Sequence, residues 1–163
     1  MNEIPMRRIA TLILVASVLV SFTPGTSYVI FSSQKSKAVS FEKMMKGLKD
    51  ADVVFFGELH NNSICHWLQL QVMKELSTVT GKSVVAGAEM FEADVQIVVN
   101  EYLQGIIRED HLINESKAWK NYKTDYAPIV NFAKEHQIPF IATNIPRRYA
   151  NLVSREGIVG LDK

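Results

Sequence analysis

The sequence lacks most of the features that would settle its class at once. It has a single cysteine, Cys65, so no intrachain disulfide can form. Its four histidines are dispersed, and neither a CxxC nor an HExxH occurs, which excludes a zinc finger or a zincin. The formal net charge is +1, so no basic surplus points to nucleic acid. There is no internal repeat and no low-complexity linker. At 47% hydrophobic residues the chain is not a disordered one. What remains is a chain of 163 residues, enough for one domain with a real core.

The N-terminus stands apart in composition. Arg7 and Arg8 precede the apolar run Ile9–Val20, and Ser21, Phe22, Thr23, Pro24 and Gly25 follow. A basic start, a short apolar run and a small, helix-breaking end are the pattern of an export signal. The run is shorter than the ~20 residues of a bilayer span and lacks the one-sided stripe of a surface helix. Residues 1–27 are therefore expected to be an export signal or an N-terminal membrane anchor. No Ala-x-Ala marks a cleavage point, and no cysteine follows the run to carry a lipid. Residues 28–163 are left for the fold.

Within them, Val53–His60 is the stretch around which the rest is arranged. Four apolar residues run into Gly57, then Glu58 and His60. Such a run predicts a strand buried on both faces, as in a parallel sheet, with the two polar residues at its C-terminal end. In open α/β sheets that edge is where ligands bind. Before it, Tyr28–Ser33 predicts a short edge strand. Ser40 predicts an N-cap, with a helix carrying Phe41, Met44, Met45 and Leu48. After it, Asn61, Asn62 and Ser63 predict the start of a helix near Ile64. On that helix Cys65 reads as a small inward-facing apolar residue rather than a nucleophile.

The pattern then repeats. Ser83–Glu89 predicts a second strand ending in a carboxylate, followed by a helix that closes at Gly105. Ile106–Lys117 reads as a polar helix and Trp119–Tyr126 as an aromatic connection. Ala127–His136 reads as a helix with Pro128 in its first turn. Ile138–Thr143 predicts a third strand, and Pro146 starts a helix with Arg147 and Arg148 in its first turn, ending at Gly157. The expected class is α/β, a mostly parallel sheet with flanking helices. An apolar pattern that only begins at Ile158 leads us to expect a sheet incomplete at the C-terminus.

The three strands are expected to deliver Glu58 and His60, Glu89, and Asn144 with Arg147 and Arg148 to one edge. Two carboxylates and a histidine can bind a divalent metal, with His60 as the ligand, or perform acid–base chemistry. The arginines can hold a carboxylate or phosphate. His66, Tyr126 and Tyr149 can reach the same rim. A plainer arrangement, with a glutamate simply paired to Arg147, satisfies the same residues. By residue type, His66 is first a rim or core histidine, and Tyr122 and Tyr126 are first packing aromatics.

Four stretches in order give a resemblance: Phe56–Asn62, Gly87–Glu92 with Gln96 following, Trp119–Tyr126 and Thr143–Ala150. Together they resemble the ChaN-type haem-binding proteins, which belong to a superfamily with the Tiki metalloproteases, the TraB-type proteins and the erythromycin esterases. The resemblance implies an α/β fold, export to the periplasm or cell envelope, and haem binding in iron uptake. His60, His66, Tyr126 and Tyr149 are the candidate axial ligands. Arg147 and Arg148 are candidates for the propionates. The alternative it implies is a metal-dependent or Glu/His-dependent hydrolase using Glu58, His60, Glu89 and Arg147. Expected partners are haem, a second copy in a homodimer and haem-uptake components of the envelope. Family members run on past the length of this chain, so a fragment, or a fold completed by association, is the expectation.

Overall fold

In the computed structural model, residues 27–79, 81 and 83–162 are described. The expected export segment lies outside them. The chain divides into residues 1–39 and 40–163.

In the first unit, β1 (Ile30–Ser32) and β2 (Lys37–Val39) form an antiparallel hairpin in which Ile30 faces Val39. Its turn is polar, as the run Ser32–Ser36 predicts. The Lys35 N–H donates to the Ser32 carbonyl, and Ser36 takes a left-handed φ of 48°.

The second unit holds the core. Helix α1 (Phe41–Leu48) starts where Ser40 Oγ accepts from the Lys43 N–H at 3.2 Å. Helix α2 (Ser63–Ser77) starts where Asn62 Oδ1 accepts from the Cys65 N–H at 3.0 Å. Both caps use a short polar side chain to satisfy an amide that no preceding turn can reach. Strand β3 (Ala86–Glu92) is followed by a 3₁₀ turn (Ala93–Val95) and helix α3 (Gln96–Leu103). Helix α4 (Glu109–Glu115) is shorter than its polar sequence suggested. A π-helical turn (Tyr122–Tyr126) leads into helix α5 (Ala127–Glu135), with Pro128 in its first turn. Strand β4 (Phe140–Asn144), helix α6 (Arg147–Glu156) and a 3₁₀ segment (Ile158–Asp162) complete it. Gly157 ends α6 with a φ of 72°, a conformation that glycine adopts without strain.

Strands β3 and β4 are parallel, with Ala86 opposite Phe140 and Ala88 opposite Ala142. Small residues allow the close approach: a Cβ on Gly87 would stand 3.0 Å from the Thr143 side chain. Phe91, Val99, Leu112, Tyr122, Val130 and Phe140 are the fully buried centre of the core. Phe91 meets Phe140 edge to face at 6.3 Å. The α/β class with a parallel sheet and flanking helices is therefore present.

The strand expected at the start of Val53–His60 does not form. Residues 53–60 run without ladder pairing, and Phe55 is 95% exposed. Their far end is fastened instead by side chains: Cys65 Sγ lies 3.7 Å from the Gly57 carbonyl, and Glu58 is held from α2 and the π-helical turn. A cavity of about 320 Å³ lies between Val54, Phe56 and Gly57 on one side and the β3 residues Ala86–Met90 on the other. An apolar run states what a strand would bury, but the ladder needs a neighbour at bonding distance, and here the anchored end stands off from β3.

The outer edge of β4 is closed by a side chain. Gln96 Nε2 donates to the Phe140 carbonyl at 2.9 Å, and Gln96 Oε1 accepts from the Ala142 N–H at 2.6 Å. One amide thus supplies the donor and acceptor that a neighbouring strand would supply, and it blunts an edge that invites strand addition.

Candidate functional site

The loop between the apolar run and α2 gathers the polar residues. Glu58 is its centre. Its Oε1 accepts from His60 Nδ1 at 2.7 Å and from the Tyr126 hydroxyl at 2.7 Å. Its Oε2 accepts from Gln69 Nε2 at 2.7 Å, with His66 Nδ1 at 3.5 Å. Burial alone would raise the Glu58 carboxyl. The hydrogen bonds from Gln69, Tyr126 and His60, with the His66 imidazole nearby, outweigh it and hold the group below the usual carboxylate range. Burial and the Glu58 carboxylate together push the Tyr126 hydroxyl well above an ordinary phenol.

The two histidines differ sharply. The His66 side chain is 2% exposed and the His60 side chain 58%. Both ring nitrogens of His66 face protein oxygens: Nδ1 faces Gln69 Oε1 at 3.1 Å and Nε2 faces the His60 carbonyl at 3.2 Å. Its ring lies edge-on to Tyr126 at 4.5 Å. His66 is a core histidine, as its place in the first turn of α2 suggests. His60 uses only Nδ1 on Glu58. Its ring meets Trp119 edge to face at 4.7 Å, and Nε2 makes no hydrogen bond to a described residue.

The other expected members stand elsewhere. Glu89 lines the cavity wall together with Glu58 and His60 but shares no hydrogen bond with them. Arg148 pairs with Asp94 and lies over the Tyr149 ring at 4.7 Å. That pairing keeps the Asp94 carboxyl low. The Arg147 side chain is exposed, while its backbone N–H donates to Glu92 Oε2 at 3.1 Å. The carboxylate that meets the start of α6 is thus Glu92 rather than Glu89. The register explains it, since Glu92 stands opposite Asn144 at the strand ends. Among the described residues, no group of three or more His, Cys, Asp or Glu side chains is arranged to hold a metal ion. No helix among them is long and apolar enough to cross a membrane.

Three contributors were not legible as site residues. Gln69, on the inner face of α2, binds Glu58. Asn121 donates to the His60 carbonyl at 2.7 Å. Asp125 accepts from Asn121 and from Ser63 Oγ, and the Asn121 bond is the main reason its carboxyl stays low. The only local signal was the polar Asn121 and Asp125 interleaved with aromatic residues, a spacing that a π-helical turn turns inward.

Residues 44–163 match the family described as haem-binding uptake, Tiki superfamily, ChaN. A solved structure of ChaN of Campylobacter jejuni, described as showing cofacial heme binding, is similar with a TM-score of 0.68 at 21% identity. The match covers 81% of this chain and 54% of that one, so the chain spans about half the length of the solved relative. At that identity the likeness is one of fold. No curated protein matches.

Proposed function

The chain belongs to the haem-binding uptake family ChaN of the Tiki superfamily, and on that premise we propose that it takes haem as cargo at the rim carrying His60. The observation that supports this reading is the state of the His60 ring. Its Nδ1–H is held by Glu58 at 2.7 Å, which leaves the exposed Nε2 as the free lone pair. A carboxylate on the far nitrogen is the arrangement that fixes the tautomer of a metal-binding histidine and raises its basicity. Histidine is a common axial ligand of haem iron.

The other candidate ligands fit less well. His66 is buried with both nitrogens engaged. Tyr126 is buried and donates to Glu58, and its raised pKa disfavours the phenolate that iron would bind. Tyr149 is exposed but lies under Arg148. Around His60, Trp119 offers an aromatic edge, and Leu59 and Ile64 are exposed apolar neighbours in sequence. Arg147 has no side-chain partner among the described residues, and its guanidinium suits a propionate. When bound, haem would supply an iron centre for His60 to ligate and propionates for Arg147 to meet.

The hydrolytic alternative would ask Glu58 to take up a proton. Its two oxygens already serve four neighbours, and it is held ionised. That suits a support for His60 better than a general base. Export through residues 1–27, work in the periplasm or envelope, association as a homodimer and a role in iron uptake complete the proposal; the sequence pattern and the family support them.

Hemin titration tests it. The full chain should give a saturable Soret shift, and His60→Ala should weaken binding far more than Tyr149→Phe. An unchanged spectrum, or loss in Tyr149→Phe alone, overturns the reading.

A further inference from the structure

Strand β3 is paired on one side only. The Ala86 N–H donates to the Pro139 carbonyl at 2.9 Å, on the β4 side. Backbone groups alternate along a strand, so Val85 and Gly87 turn theirs to the other edge, where no described strand pairs. The cavity on the core side of that edge meets Ala86 and Ala88, and a second recess on the outer side meets Ser83 and Thr143. Val54, Phe56, Val85 and Gly87 line both. The gap is therefore a slot between the β3 edge and Val53–Phe56, and none of those four residues makes a backbone hydrogen bond to a described residue. Apolar surface lies in water on both sides of it: Phe55 is 95% exposed, Val53 67% and Val85 60%.

We propose that Val53–Phe56 is a strap, hinged at Gly57, that closes on the free edge of β3 as a third parallel strand. Its residue types are those of a strand. Helix α2 joins it to β3, the kind of connection that parallel neighbours use. Beyond the hinge the chain is pinned, by Cys65 on the Gly57 carbonyl and by Gln69 and Tyr126 on Glu58. A Cβ on Gly57 would meet nothing within 4 Å, so the backbone has room to turn there. Ordering four residues opposes closure, and burial of the apolar run with its new ladder bonds favours it. Open, the strap leaves the cavity reachable as far as Glu58. Closed, Val54 and Phe56 fill that largely apolar space, so the strap gates it against an apolar molecule. The gate does not depend on which residue meets the iron.

The parent chain gives the first test. Amide relaxation dispersion should show one shared microsecond-to-millisecond process at Phe55 and Gly87, unchanged on dilution. Flat profiles at both overturn the strap. Two double variants, each with Cys65→Ser to leave no third thiol, then capture the closed form: Phe55→Cys with Val85→Cys, and Val53→Cys with Val85→Cys. A disulfide forms only where the two Cα atoms come within about 7 Å, so diamide should close one pair within a single chain. In that oxidised form amide exchange at Gly87 should slow towards that of Ala86, and saturable binding of the uncharged dye N-phenylnaphthylamine should be lost. Reduction should restore both. Exchange at Val130 in the core should stay as in the parent, which separates closure from a change in global stability. No disulfide within one chain in either pair overturns the strap. Disulfides only between chains, or dispersion that disappears on dilution, also overturn it and give the edge to a second copy. Unchanged dye binding in the oxidised form overturns the gate.

Discussion

Tyr126 donates its hydroxyl hydrogen to Glu58 Oε1 at 2.7 Å, joining the end of the π-helical turn to the loop that carries His60. Tyr126 is buried and Glu58 half-buried, and the bond is charge-assisted. Removing the donor in Tyr126→Phe should therefore lower stability by about 1.5–3 kcal/mol, the range for hydrogen bonds to charged groups. Urea denaturation at neutral pH measures it.

Tyr122 is a contrasting case four residues earlier. Its ring is 1% exposed, and its hydroxyl has no hydrogen-bond partner among the described residues. A buried hydroxyl without a partner is a cost, so Tyr122→Phe should be neutral or stabilising by roughly 1 kcal/mol. The same denaturation experiment on the two Tyr→Phe variants should give opposite signs.

Acid should weaken the site in a defined window. The Glu58 and Asp125 carboxyls titrate lower in the folded chain than their ordinary values of 4.5 and 3.8. A depressed folded pKa stabilises fully above the unfolded value, and that contribution is lost as pH falls through the folded one. The melting temperature should hold from neutral pH to near 5 and fall below about 4.5. In Glu58→Gln the part of that fall due to Glu58 should be missing.

Gln96 makes a prediction about the sheet. Gln96→Leu removes two hydrogen bonds from the β4 edge and leaves the Phe140 carbonyl and Ala142 N–H open. It should cost about 1–3 kcal/mol and expose an edge to strand addition. Light scattering after size-exclusion chromatography should show assemblies larger than those of the parent chain at equal concentration.

These residues also show how far sequence patterns reach. Ser40, Asn62, Pro128 and Gly157 act within one helical turn, and each does in the structure what its type and position predict. Strands β3 and β4 were legible because an apolar run with small residues met its neighbour. Val53–Phe56 carries an equally good run, yet it stays out of the ladder because its end is tied to α2 and the π-helical turn. Long-range ties of that kind leave no periodicity. For the same reason Glu92 was hidden behind Glu89, three residues away, since only the register with Asn144 tells them apart. The Glu58–His60 pair was legible from spacing alone, whereas Gln69, Asn121 and Asp125 became site residues only through the fold.

Iron ligation by His60 Nε2 is the step on which the proposed function turns, and ligand replacement tests it. His60→Gly would be titrated with hemin, without and with added imidazole, and the ferric and ferrous complexes followed by absorption and resonance Raman spectroscopy. If His60 ligates the iron, the variant loses tight binding, the ferrous parent shows an iron–histidine stretch, and imidazole restores the parental spectrum. A parental spectrum and affinity in His60→Gly without imidazole would contradict it.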